Sequence, residues 1–575
     1  MKIGFFNLNI FIVSSIFFSS CTTSSLIEEP FAIKQTEDLL KIKKLTQISG
    51  YAFSYGVGDV KVLTVTADYL EVKGVFFDKK AEEYGLILLC LTKNGIYTTH
   101  EYKFSEKEIK NGQWYGQHLP FFTYKTALDK DIVSYTAFPY RKRKNICSLG
   151  FPGTITNPNK KSGDLEILSF RVSNKTYVAL VATSHNSGEI CMTVNPQNRY
   201  TLSVMPVSNN RFLFHRYLCN DVLYHFQLTD GKDTLEFDYK TADIHFSCVP
   251  CRLPLLDNGR SAIALPDDPE CNLIWDITHP SVLYFSKPWN GSRLWMAATP
   301  YPTALTYKYT PNLSGEAFEN THVFYPEKSF LGSKESINRF CPIENNPIIN
   351  KPARGFNSDS ELVSDETNLY AMTRNRYGQS GKSNVFFVQK SSDGHNWSDP
   401  VCVLRTGNGE KAVHSVSPAL LYRDKKFLCY IFEQDASAKT IDRIDLYEAR
   451  SLMDEYSLKF VASGKWDRKD ISPWHGDVFL NLKKTYMVFS SNGYLYLALS
   501  NNSIDWEVFP APLSPSNSFY RPSAYVDDRG DLIVYSSVHG VFNEKCPEHY
   551  PSGNNIVRLN CGNFKTLLRQ LQQVK

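Results

Sequence analysis

Short runs of alternating apolar and polar residues, or of a few consecutive apolar ones, recur along most of the chain. Val60-Lys61-Val62-Leu63-Thr64-Val65, Leu86-Ile87-Leu88-Leu89, Tyr177-Val178-Ala179-Leu180-Val181 and Thr234-Leu235-Glu236-Phe237 are examples. Gly, Asn, Asp and Ser bound these runs. A period of two with such punctuation predicts strands, because successive side chains of a strand point to opposite faces. Helical periodicity is scarce, confined to a short segment near 37–44 and a C-terminal helix over 563–575. The pattern predicts an all-β fold. In the first half it predicts one or two β-sandwich-like modules, 46–155 and 160–255, divided at the loop 150–163 with its two Pro and several Asn and Lys.

The second half repeats itself. Five stretches share a polar residue, then usually Pro or a small residue, then an apolar strand. They are His279-Pro280-Ser281-Val282, Asp359-Ser360-Glu361-Leu362, Ser417-Pro418-Ala419-Leu420, His475-Gly476-Asp477-Val478 and Arg521-Pro522-Ser523-Ala524. A second strand carrying aromatics follows each, as in Arg293-Leu294-Trp295-Met296 and Thr485-Tyr486-Met487-Val488-Phe489. Five units of several strands, spaced by 80, 58, 58 and 46 residues, match the blade size of a β-propeller over 270–562.

The N-terminus carries a different signal. Lys2 precedes a mainly apolar run from Ile3 to Phe18, then Ser19-Ser20-Cys21. A positive start, an apolar core and small residues before a cut site mark an export signal. The run is shorter than the roughly 20 residues of a spanning helix. Ser19-Ser20 before a lone Cys, then polar Thr22-Thr23-Ser24-Ser25, resemble a bacterial lipoprotein signal, although Phe18 replaces the usual aliphatic. That resemblance implies a signal over 1–21, lipidation at Cys21, and a tether with a short helix over 22–45. It also implies a bacterial cell-envelope location, with a lipid anchor in the outer membrane. The plainer reading is a secreted protein in which Cys21 is incidental.

Composition narrows the partners. The chain has 575 residues, enough for three or four domains at about 100–200 residues each. Its net charge of +4 is too weak to imply a nucleic-acid partner, and none is expected. The run Arg141-Lys142-Arg143-Lys144 reads as a solvated loop. Thirteen Cys are too few for a disulfide-built scaffold. Cys546 and Cys561 bracket a loop and can pair. Cys248-Val249-Pro250-Cys251 has thioredoxin-type spacing but no strand-helix-strand surroundings.

Two segments bear on the repeat. Ser391-Ser392-Asp393-Gly394-His395-Asn396-Trp397 fits the S-x-D-G-x-x-W hairpin known as the Asp-box, in which Asp-Gly makes the turn and the Asp holds backbone N–H groups. Ser500-Asn501-Asn502-Ser503-Ile504-Asp505-Trp506 is a degraded copy with Asn in place of Asp. Families that carry this hairpin place it at the propeller's periphery, so it is expected to be structural.

With His279-Pro280-Ser281-Val282, Trp295 to Pro302, Asn357-Ser358-Asp359, the Asp-box and Phe519-Tyr520-Arg521-Pro522-Ser523, the segment 276–540 resembles the five-bladed β-propeller glycosidases. This superfamily includes arabinanases, β-xylosidases and invertases. The resemblance implies a funnel into which the strand starts bring His279, Asp359, Ser417, His475, Asp477 and Arg521. Loops between second and third strands would add Tyr301, Glu319, Arg374, Arg376, Glu433 and His539, with Tyr520 beside them. Carboxylates and guanidinium groups there suit sugar hydroxyls, and aromatic rings suit a sugar's C–H face.

Glycoside cleavage needs one carboxylic acid to protonate the leaving oxygen and a second carboxylate as nucleophile or base. The family places Asp, Asp and Glu on its first three blades. Here only Asp359 matches directly: the first slot is His279, and the third inner strand has no acid. The candidate catalytic acids are therefore Asp359, Glu319, Glu433 and Asp477, and the candidate sugar contacts are His279, Tyr301, Arg374, Arg376, His475, Tyr520 and Arg521. Each has a structural alternative. Asp359 can be a turn former, the histidines packing groups, and Glu319 and Glu433 solvated acids. No adjacent ligand spacing supports a metal at the histidines, and no cofactor is expected. Two functions follow: an exported glycoside hydrolase-like enzyme, or a surface glycan-binding lipoprotein without the acid pair. A protein-binding propeller is a third.

Overall fold

The computed structural model describes residues 51–572 apart from short internal stretches, the longest being 255–272, 302–318 and 542–552. Among the described residues the chain is nearly all β, and the one α-helix is Phe564–Gln572 at the C-terminal end. Its apolar side, Phe564, Leu567 and Leu571, is buried, with Phe564 4.9 Å from the ring of Tyr486.

Residues 51–241 form three sheets around one core. The expected division near 150–163 falls inside this unit. Leu165–Ser173 pairs with Gly58–Thr66, Phe170 opposite Val65, so strands on both sides of the expected boundary share the largest sheet. One apolar cluster likewise joins Leu63, Val72 and Phe122 to Phe170, Leu180 and Phe226. The first half is thus one unit rather than two modules, because its largest sheet and its largest apolar cluster both draw on strands from either side of the expected boundary. Thr234–Lys240 shows why the pattern was legible: its residues alternate strictly between exposed and buried, and Phe237 stacks on Phe226 at 4.8 Å. The basic run reads differently in space. Arg141 to Arg143 end the strand Ile132–Arg143, and Arg141 is buried.

Among the described residues Leu253–Pro254 pairs separately with Leu273–Ile274, and five four-stranded antiparallel sheets follow. Their first strands are Ile277–Trp289, Phe356–Ser364, His414–Arg423, His475–Asn481 and Phe519–Val526. Each first strand touches the next and the fifth touches the first, closing a ring around a central channel. Four sheets are simple meanders. The fifth takes its outer strand from earlier in the chain: Phe246–Val249 pairs with Gly553–Asn563, Cys248 opposite Val557. Residues expected in the preceding module therefore complete the ring, leaving only one side of that strand to be paired.

The turns at 391–397 and 500–506 both link the third and fourth strands of their sheets. Asp393 Oδ1 accepts from the backbone N–H groups of His395 and Asn396 at 2.9 and 2.7 Å, and Trp397 Nε1 donates to Gly394 O at 3.1 Å. Asn502 Oδ1 accepts from Ile504 and Asp505 N–H at 2.9 and 2.8 Å. An amide oxygen thus reproduces the carboxylate's turn bonds. Gly394, at φ 81°, lies so close to Trp295 that a Cβ would sit 2.2 Å from the ring.

Candidate functional site

The site is made by a repeated irregularity at the start of the inner strands. Register shifts fall between Thr278 and Ser281, Ser358 and Glu361, Val416 and Pro418, and Tyr520 and Pro522. Within each shift one residue takes a left-handed backbone: His279 (φ 57°), Asp359 (51°), Ser417 (24°) and Arg521 (47°). A bulge re-aims its residue, and these conformations are costly for non-glycine residues, so four repetitions mark a constructed feature. The fourth sheet lacks the bulge. There His475 occupies the corresponding place, and Gly476 behind it admits Phe432, whose ring would lie 2.8 Å from an added Cβ.

Asp359 stands at the centre of these residues and is 1% exposed. Arg374 Nη2 lies 2.7 Å from its Oδ2. Around Oδ1 are His279 Nδ1 at 3.7 Å, His475 Nδ1 at 3.8 Å and Arg521 Nη1 at 3.7 Å. The surrounding groups are themselves held. His279 Nδ1 meets Thr299 Oγ1 at 2.9 Å, and His475 Nδ1 meets Ser417 Oγ. Arg374 donates to Ser358 Oγ and to the Ser415 carbonyl, and Arg521 Nη2 to the Ser360 carbonyl and Glu361 Oε2. The Tyr520 ring packs 4.5 Å from His475 and 5.6 Å from His279, with Tyr301 6.4 Å from His279.

Several buried polar atoms are left over. Asp359 Oδ1, Arg374 Nε, His475 Nε2, and Arg521 Nε and Nη1 have no hydrogen-bond partner among the described residues. Leaving such atoms unmade is expensive, about 1–3 kcal/mol each and more for charged groups, so together they are hydrogen-bonding groups that a polar ligand can engage.

Electrostatics assigns the protons. Burial alone would raise the Asp359 carboxyl, but Arg374, followed by His279, His475 and Arg521, holds it well below its ordinary value. His475 is held well below its usual value by burial, with Arg521, His279 and Arg374 adding and Asp359 opposing. At neutral pH the site therefore contains a fixed carboxylate beside a neutral imidazole. Burial, followed by the charges of Asp359 and Glu319, raises the Tyr520 hydroxyl, keeping it protonated.

One layer deeper lie Glu361 and Asp477, two residues on from Asp359 and His475. Asp477 Oδ2 accepts from Ser523 Oγ at 2.8 Å and Ala524 N–H at 2.7 Å. Burial and then the neighbouring Asp477 raise the Glu361 carboxyl, and burial raises that of Asp477. A cavity of about 660 Å³ reaches this layer at Glu361 and Asp477 and continues between Val282, Tyr284, Trp289, Leu420, Val478 and Tyr525. Its walls are the downstream ends of the inner strands. The leftover polar atoms are at the upstream ends, so they lie apart from this cavity.

The structure gathers His279, Asp359, Arg374, His475, Tyr520 and Arg521 into one cluster, with Tyr301 at its edge. Glu319 is buried beside it, close enough to act on Tyr520. Glu433 accepts from Ser415 Oγ at 2.7 Å and has Arg443 at 3.8 Å, so it joins the cluster through Ser415 and Arg374. Asp477 lies in the deeper layer. Arg376 ends the strand Leu369–Arg376, paired with Phe356 and Asn384, and makes none of the contacts around Asp359 given above. Cys21 and Cys251 lie outside the described residues, as do Cys546 and the side chain of His539. Sequence reasoning missed the supporting hydroxyls of Thr299, Ser358, Ser415 and Ser537, the last accepting from the His279 backbone N–H at 2.8 Å. Ser and Thr are too common at strand ends to signal such a role. Among the described residues no three His, Cys, Asp or Glu side chains are arranged to hold a metal ion.

No protein-family model matches the chain, and no curated protein matches it. Solved structures do. An N-acetylgalactosamine deacetylase from F. plautii, in complex with blood group B trisaccharide, shares 18% identity over 57% of this chain and 97% of its own, with a TM-score of 0.43. The β-xylosidase RS223 shares 9% over 50% of this chain and 92% of its own, at 0.35. An α-L-arabinanase from Penicillium chrysogenum, complexed with arabinobiose, shares 10% over 67% of this chain and 90% of its own, at 0.33. These are likenesses of outline, and the chemistry of the site rests on the cluster around Asp359.

Proposed function

We propose that this protein is an exported carbohydrate-active lipoprotein. In this reading a five-bladed β-propeller, stiffened by an Asp-box at 391–397, binds an oligo- or polysaccharide in its funnel and cleaves a glycosidic bond. The observation that carries the reading is the set of buried, unpartnered atoms at Asp359 Oδ1, His475 Nε2 and Arg521 Nη1. A sugar hydroxyl both donates and accepts, so it can give its proton to Asp359 Oδ1 while accepting from Arg521. The Tyr520 and Tyr301 rings offer flat apolar faces for the pyranose or furanose C–H bonds.

For cleavage, a carboxylate that stays ionised suits a base, or a charge that tunes one. Asp359 fills that role. Asp477 is occupied by Ser523 and Ala524, which leaves the acid to Glu319 or Glu433. Glu319 is preferred, because it and Asp359 act on the same Tyr520 hydroxyl. The protein lacking residues 1–25 would be incubated with plant, host and bacterial glycans and assayed for released sugars by chromatography. Release that disappears in Asp359→Asn and Glu319→Gln is the expected result. Release undiminished in Asp359→Asn would overturn the site.

A second reading, a glycan-binding lipoprotein, draws on one observation. Asp359 Oδ2 is already held by Arg374, so the ring offers one open carboxylate oxygen against several donors. Retention of a glycan without release, weakened in Asp359→Asn, selects this reading. Anchoring is tested separately: incorporation of labelled fatty acid should vanish in Cys21→Ala.

A further inference from the structure

The sheets differ in the length of chain that joins their second and third strands. These connections span 301–321, 377–383, 435–442 and 542–552 in the first, second, third and fifth sheets, but only Asn492 and Gly493 in the fourth. That tight turn carries Tyr494, opposite Ser491, one position beyond the Ser490 that pairs with His475. Lys61 of the N-terminal unit sits over the Tyr494 ring, its Nζ 4.1 Å from the centroid, and pairs with Asp59. Both charged side chains are 1% exposed.

Lys61 reaches this place through an irregularity of its own. It is the residue passed over where the register between Gly58–Thr66 and Tyr69–Phe76 shifts from Val60 to Val62. The opposite edge of the same segment is tied down, since Val60 N–H donates to Phe151 O at 3.2 Å and Phe151 N–H to Gly58 O at 2.8 Å. A bulge held on both edges aims a cation out of its own unit and into the other. A buried ion pair contributes little net stability but is well suited to fixing one arrangement over others, and a desolvated cation over an aromatic ring adds attraction.

We infer that the N-terminal unit is seated on the funnel side of the fourth sheet through Asp59, Lys61 and Tyr494, where it replaces the missing loop as a wall of the funnel. The seat is independent of whether the funnel cleaves or only binds its ligand. The covalent tie supports the same placement, because Phe246–Val249, which follows the N-terminal unit, is built into the neighbouring fifth sheet. Two attachments on adjacent sheets restrict rotation of the unit in a way that one linker would not.

Hydroxyl-radical footprinting of the full chain tests this without a ligand. Trp474 and Tyr520 pack against His475 of the fourth sheet, with ring centroids 5.7 and 4.5 Å away, and Trp295 is buried in the first sheet as a control for folding. In Lys61→Met, and separately in Tyr494→Leu, labelling of Trp474 and Tyr520 should rise by roughly twofold or more as the wall lifts, with Trp295 unchanged. A double variant Asp59→Asn/Lys61→Met removes both charges, so no carboxylate is left buried alone. It should behave like Lys61→Met. Labelling equal to the parent in all three variants would overturn the seat. A rise at Trp295 together with the funnel residues would also overturn it, because the contact would then support the fold as a whole.

Discussion

The Arg521 guanidinium separates Asp359 from Glu361, two residues apart on one strand: Nη1 lies 3.7 Å from Asp359 Oδ1, and Nη2 2.9 Å from Glu361 Oε2. The two carboxyls respond oppositely. Asp359 is held low, its burial outweighed by Arg374, the two histidines and Arg521. Glu361 is held high by burial and by Asp477. One layer of the channel is thus set for charge and the next for a shared proton.

Their substitutions should differ in consequence. Asp359→Asn leaves Arg374 and Arg521 facing each other in a buried site and is expected to cost about 3–5 kcal/mol at neutral pH. Glu361→Gln keeps an acceptor for Arg521. The Glu361 carboxyl titrates higher in the folded protein than unfolded, so its contribution is present when protonated and lost as pH rises past its unfolded value toward the folded one. Gln removes that loss, and the variant should lie within about 1 kcal/mol of the parent. Urea titrations at pH 7 check both, and equal costs would contradict the two-layer account.

His475 predicts an acid limb in stability. Its folded value lies well below the unfolded 6.5, so below pH 6.5 the unfolded chain takes a proton that the folded one refuses. Stability should fall on acidification by up to about 1.4 kcal/mol per pH unit from this group. Asp359, also held low, adds a further loss only below about 3.8. In His475→Gln the first part of the limb should flatten. Denaturant midpoints at pH 7 and pH 5 measure it, and an unchanged slope in the variant would assign the limb elsewhere.

The turn at 391–397 should matter for stability and not for ligand. Asp393→Ala loses the bonds to His395 and Asn396 and should cost about 1–2 kcal/mol. Gly394→Ala combines a left-handed backbone with a Cβ 2.2 Å from Trp295 and should cost more, about 3 kcal/mol or above. Thermal unfolding of both variants, with glycan retention of the folded protein unchanged, is the expected outcome. Lost retention at full stability would place this turn in the site.

Ring closure can be tested by shortening the chain. A protein beginning after residue 249 lacks the outer strand of the fifth sheet and leaves Gly553–Asn563 with an open edge. It should melt at a lower temperature than the parent and aggregate more readily. Circular dichroism and light scattering read both, and a melt identical to the parent's would show that the ring closes without this strand.

Much of the fold was legible in one dimension. The strict alternation of Thr234–Lys240 and the five polar-then-apolar strand starts are local patterns, and local patterns survive in the sequence. Six of the candidate site residues, His279, Asp359, Arg374, His475, Tyr520 and Arg521, meet in space because the repeat phase brings strand starts and second-strand ends to one face. The single-unit character of 51–241 was not legible. Pairing of Phe170 with Val65 spans more than a hundred residues, and no spacing in the chain encodes it. The outer strand at 246–249 was hidden for the same reason.

By itself, the sequence determined that this protein is built of strands, that its second half repeats, and which polar residues begin the inner strands. Hydrophobic periodicity and turn chemistry act over a few residues and so can be read directly. Tertiary structure alone decided that Asp359 is a caged carboxylate while Asp477 and Glu361 form a separate layer. It also decided that Lys61 leaves its own unit to meet Tyr494. Burial and the distance between charges set these outcomes, and both depend on residues brought together from distant parts of the chain.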